Sequence, residues 1–272
     1  NVIDDTALGY LIGILVLVGV GVAFLVMVWR SEFPLWVRKA SLVAFGVFLA
    51  GSLVPFHLTV YPGNAVFQKM VSRDQEVPLE GVTAGAHVVE VYASELAQLN
   101  EARGEGQYRI TVAGQEMSGR FADAMRSVRS GRRGARQVEE RHLMDVHRVQ
   151  VAEGAQTLKV ARLDPVVGTQ VRVSIYPQVI PTAVVYVLLA LAMLFAMAMD
   201  GLFQEANERW RLGVFIGMGI GFLLVFTSAY ERGGVTSAAI WSAIFGGVAG
   251  FLGGWLLSFM SRKMLGVVRT RF

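Results

Sequence analysis

Five runs of this chain carry no Asp, Glu, Lys or Arg: Gly9–Trp29, Ala40–Leu58, Val179–Met199, Leu212–Tyr230 and Val235–Met260. Each is close to the ~20 residues that an α-helix needs to cross a hydrocarbon core of about 30 Å. On insertion scales each Leu, Ile, Val or Phe contributes roughly −0.3 to −0.6 kcal/mol, against about +2.5 to +3.5 kcal/mol for a central charge, so runs like these insert. Buried core helices are the competing explanation. Hydrophobic residues make up 54% of the chain and charged ones only 17%, so a single polar domain could not cover five such helices in water.

The charges concentrate between the second and third runs, in a block from about Lys69 to Arg172. The organisation that follows is two transmembrane helices within residues 1–60 (9–29 and 40–58), a β-rich domain over 61–178, and three further helices within 179–272 (179–199, 212–230 and 235–260) with a short tail. Short-loop cations set the orientation. Arg30, Arg38 and Lys39 follow the first run, Arg209 and Arg211 the third, and Arg262, Lys263, Arg269 and Arg271 the fifth. A five-span layout places all of these on one side. The expected topology is therefore N-terminus out, domain out and C-terminus in, across a bacterial-type inner membrane. Trp29, Trp36, Tyr61, Tyr176, Trp210 and Tyr230 lie near the run ends, where amphipathic rings favour the interface. The chain opens on Asn1 rather than Met, which is compatible with cleavage of an upstream signal segment and equally with a start elsewhere.

Within the block the hydrophobic period becomes two. Tyr108, Ile110 and Val112 alternate with Arg109, Thr111 and Ala113; Val171, Val173 and Ile175 alternate with Arg172 and Ser174. Val149 and Val151 are followed by Leu158 and Val160 across Ala152-Glu153-Gly154-Ala155, which reads as a hairpin. Asp164-Pro165 and Gly168 mark the next turn. Some six strands with short turns point to an extracytoplasmic antiparallel β-sandwich inserted between helices two and three.

The stretch from Arg120 to Arg141 interrupts that alternation. Arg126, Arg129, Arg132, Arg133 and Arg136 crowd together with few carboxylates. A helix would set Arg126, Arg129, Arg133 and Arg136 on one face, but Gly131 and Gly134 argue against one. Guanidinium forks suit phosphate and carboxylate, so the cluster is a candidate site for anionic headgroups or an acidic partner; a solvated loop is the plainer alternative.

The expected chemistry is otherwise sparse. There is no cysteine, which excludes disulfides and thiolate sites. His142 and His147 differ by an odd number of positions, so in one regular strand they face opposite sides and share no metal. His57 reads as an interfacial residue. Gly217, Gly219 and Gly221 mimic a nucleotide fingerprint but lie mid-membrane without a preceding strand. Hydrolase, zincin and nucleotide-binding motifs are missing, so neither catalysis nor a cofactor is expected, and the net charge of +4 does not call for nucleic acid. The spans lack the internal charges that mark proton relays. Asp200 comes nearest, at the end of the third span, where it is placed to cap a helix or pair with Arg209 or Arg211.

Small residues supply the strongest pattern in the membrane part. Gly213, Gly217 and Gly221 in the fourth span, and Ser242, Gly246, Gly250, Gly254 and Ser258 in the fifth, recur every four residues and so form one ridge on each helix. Either the ridges pack on each other, or one of them meets another subunit. The expected function is a non-enzymatic subunit of a multi-protein membrane complex, its β-domain contacting partners or ligand and its ridges driving assembly with other subunits or itself. The alternative is a homo-oligomeric channel or transporter lined by spans four and five; a tethered sensing or carbohydrate-binding module is a third.

Overall fold

The computed structural model describes residues 5–97, 104–129, 135–154, 156–203 and 211–269. The chain runs α1 (Asp5–Arg30), α2 (Leu35–Val60), β1 (Phe67–Ser72), β2 (Glu76–Pro78), β3 (Gly85–Tyr92), the single turn α3 (Ser94–Ala97), β4 (Gly104–Val112), β5 (Gln115–Arg129), β6 (Ala135–His142), β7 (Met144–Val151), β8 (Thr157–Leu163) and β9 (Gln170–Pro177). It then continues through α4 (Thr182–Leu202), α5 (Leu212–Trp241), a π turn (Ser242–Gly246) and α6 (Gly247–Arg269). Chain contacts separate a helical unit from a β unit of Pro62–Val179 with Glu231–Gly233.

Among the described residues five helical stretches are long and apolar enough to cross a membrane: Thr6–Arg30, Leu35–Val60, Thr182–Leu202, Leu212–Tyr230 and Val235–Leu265. The second begins earlier than its apolar run, because Pro34 sets the helical start and Trp36, Arg38 and Lys39 form the first turns. The Leu212–Tyr230 span is the centre of the helical unit: 56% of its apolar window is buried, against 22% to 33% for the others. Aromatic rings fill the spaces around it. Phe56 meets Phe226 at 4.8 Å between ring centroids, and Phe222 and Phe226 stack at 5.9 Å. Phe48 occupies the gap that Gly219 leaves, and Phe56 the one left by Gly13.

The β unit is two antiparallel sheets with strand orders β1-β9-β3-β7 and β2-β8-β4-β5-β6. Alternation puts Val89, Val91, Val171, Val173 and Ile175 of the first sheet against Tyr108, Ile110, Val112, Leu158 and Val160 of the second, all at 1% exposure or less. The 149–160 segment is not the expected hairpin. β7 pairs with β3, whereas β8 pairs with β2 and β4, so the chain crosses here from one sheet to the other. Both strands present apolar residues to the same core from opposite sides, a pattern that periodicity alone cannot tell from a hairpin. The expected turn at Asp164-Pro165 is present: the Val167 N–H donates to the Asp164 carbonyl, and Gly168 takes φ +119°.

Candidate functional site

The arginine-rich stretch is extended, not helical. Gln115–Asp123 of β5 pair with β4, whose described residues end at Gly104. From Ala124 to Arg129 the strand pairs with β6 alone among the described residues, and β6 pairs with nothing else there. Among the described residues the two strands thus run on past β4 as a two-stranded ribbon. Arg126 is opposite Val138, Arg129 opposite Ala135 and Arg136 opposite Val128; Arg132 and Arg133 lie outside the described residues. Across the ladder Arg126 and Arg136 share one parity and Arg129 has the other, so the common face of a helix does not arise. The sequence signal for the ribbon was the Gly131-to-Gly134 segment between two stretches able to pair as a hairpin.

A partly buried polar cluster sits at the base of this ribbon. β6 ends at His142 in one sheet and β7 begins at Met144 in the other. His142 Nε2 and Asp145 Oδ1 lie 2.7 Å apart, with the side chains only 17% and 15% exposed. Two residues on, His147 Nε2 shares a 2.7 Å hydrogen bond with the Tyr108 hydroxyl of β4. The Tyr108 ring stacks on Phe121 at 4.6 Å, and a Cβ at Gly119 would strike both Tyr108 and Asp145. Burial lowers the pKa of His147, opposed by the Asp145 charge. The parity argument does not apply to the two histidines, because they belong to different strands of different sheets, with Asp145 near both. Among the described residues no three His, Asp or Glu side chains group as a metal would need.

In the helical unit the two ridges meet each other. A Cβ built on Gly217 would overlap the Gly250 carbonyl, one on Gly221 that of Gly246, and one on Gly254 that of Gly213. The pairing is antiparallel, Gly213, Gly217 and Gly221 meeting Gly254, Gly250 and Gly246 in turn, so the chain doubles back midway between the two ridges. Asp200, fully buried, closes the far end of this pair. It accepts hydrogen bonds from the Leu212 N–H at 2.9 Å, the Gly213 N–H at 3.0 Å and the Ser258 hydroxyl at 2.6 Å. Its ionic partner is Arg262, at 3.7 Å, not Arg211, whose guanidinium stacks over Trp255; Arg209 lies outside the described residues. His57 bonds to the Tyr10 hydroxyl at 2.8 Å at an exposed position.

No family model matches this chain, and neither a curated protein nor a solved structure does.

Proposed function

We propose that the chain is a non-enzymatic subunit of a membrane complex, which displays its β unit on the extracytoplasmic side and grips an acidic partner protein through the β5–β6 ribbon. One observation carries this reading: among the described residues the β5–β6 ribbon continues beyond the part of β5 that β4 pairs, and its segment bears the densest run of arginines in the chain. A two-stranded ribbon alone is marginal in water, and its outer strand offers main-chain donors and acceptors that another polypeptide can pair and a lipid headgroup cannot. The glycine ridges support a different role from the one expected for assembly. They meet each other, which supports a part in internal packing. Short-loop cations favour the outside placement of the β unit.

The test is the mass of the protein extracted from its native membrane in neutral detergent, beside a variant with Arg126, Arg129, Arg132, Arg133 and Arg136 all changed to Gln. The expected result is an unlike, acidic chain that co-purifies with the parent and is lost from the variant, with association weakening as salt rises. A symmetric homo-oligomer unaffected by the variant supports the channel instead.

A further inference from the structure

The solvent face of the five-stranded sheet holds a second basic feature, separate from the ribbon. An open groove of about 360 Å³ is lined by Arg109, Arg120, Arg162, Gln107 and Ser118 together with Tyr108 and Gly119, with no carboxylate among these lining residues. Strand pairing sets Arg109 directly opposite Arg162, and Gln107 opposite Arg120. Like charges directly opposed across a ladder repel. A β-bulge produces the juxtaposition: the register slips between Arg109 and Ile110, skipping Ala161, so Ala161 and Arg162 both lie at exposed positions while Val160 and Leu163 are buried. Without the extra residue, strict alternation would turn Arg162 away from this face.

The three guanidinium groups have carboxylate neighbours, but at the edges of the groove. Arg109 Nε lies 3.2 Å from Glu116, Arg120 Nη1 3.1 Å from Glu105 and Arg162 Nε 3.1 Å from Asp164, all half-exposed on the arginine side. Exposed pairs of this kind contribute little in water and are readily exchanged. Asp164 is further engaged by the Gln107 N–H at 2.8 Å. Arg109 and Arg162 make their pairs through Nε, whereas the Nη ends of a guanidinium are well suited to gripping an oxyanion. Gln107 and Ser118 add neutral donors and acceptors of the kind that meet hydroxyl groups.

We infer that this groove binds a small oxyanion on a sugar-sized body, a sugar phosphate or a uronate, with Arg109 and Arg162 clamping the anion and Gln107 and Ser118 contacting hydroxyls. The bound anion relieves the repulsion between the two arginines. The inference does not depend on the ribbon or its partner.

The test titrates the full chain in neutral detergent at low salt with glucose 6-phosphate, glucuronate, inorganic phosphate and glucose, read by calorimetry. At least one charged sugar is expected to saturate with a Kd of about 1 mM or tighter, ahead of inorganic phosphate and with glucose silent; which of the two charged sugars binds better identifies the anion. R109Q/R162Q is expected to weaken that binding at least about tenfold with an unchanged melting curve. R109K/R162K, which keeps the charge, should also weaken it, because lysine lacks the fork; it serves if the first variant fails to fold. Absence of saturation by both charged sugars up to about 10 mM, equal binding of inorganic phosphate, or unchanged binding in both variants would overturn the site.

Discussion

At the scale of single residues, two acids do different work, Asp200 fully buried and Asp145 15% exposed. Asp200 spends its carboxylate on two backbone N–H groups at the start of α5 and one hydroxyl of α6, and so satisfies donors that a helix start leaves open. The sequence placed it to cap a helix or to pair with Arg209 or Arg211, and its hydrogen bonds are those of a cap. Asp145 instead stands beside two histidines. Burial lowers the His147 pKa below its usual 6.5, so between the lowered value and about 6.5 the unfolded chain binds more protons than the folded one. The stability that neutral His147 confers is therefore complete above about 6.5 and is lost as pH falls through that window. Hydrogen exchange of the β4 and β7 amides, corrected for intrinsic rates, should show protection falling from pH 7 to pH 5. His147→Gln should flatten that dependence. A parent protein whose protection is level across this range would show that His147 does not titrate there.

At the scale of elements, α5 and α6 are held by close backbone approach. Gly217→Ala forces a Cβ into the Gly250 carbonyl, and Gly250→Ala one into that of Gly217; neither backbone can retreat without separating the helices. Each change should cost about 1–3 kcal/mol, the usual range for overpacking, and lower the melting temperature in detergent. The oligomeric mass should stay as it was, because the ridges face each other. Gly253→Ala is the control on the same helix. Nothing lies near its added Cβ, so the better helix propensity of Ala should leave stability equal or raise it by up to about 1 kcal/mol. Equal effects at Gly217 and Gly253 would show that the ridge contact is not what stabilises the hairpin.

For the whole molecule, five apolar helices and one inserted two-sheet β region set the architecture, and the short-loop cations predict its orientation. The chain has no cysteine, so a single introduced one is the only thiol label. Glu153→Cys, exposed in the crossing between β7 and β8, and Lys263→Cys, exposed near the end of α6, should react with an impermeant maleimide from opposite sides of the membrane. Glu153→Cys should label in intact cells or spheroplasts, and Lys263→Cys only after permeabilisation. Labelling of both from one side would refute the five-span layout.

Span positions, strand alternation and the glycine ridges are legible in the sequence because each rests on a local period: an unbroken apolar run, a step of two, a step of four. That Tyr108, Ile110 and Val112 face a core follows from alternation alone. What they face does not, since the same alternation fits a hairpin or a crossing between sheets, and only strand pairing shows that β7 and β8 belong to different sheets. Likewise the spacing made two ridges but could not say what covers them, because a glycine face is equally ready for a neighbour in the same chain or in another. The carboxylate that Asp200 gives to α5 and α6, and the convergence of His142, Asp145, His147 and Tyr108, join residues from separate elements. No sequence period encodes such meetings, and tertiary packing alone decided them.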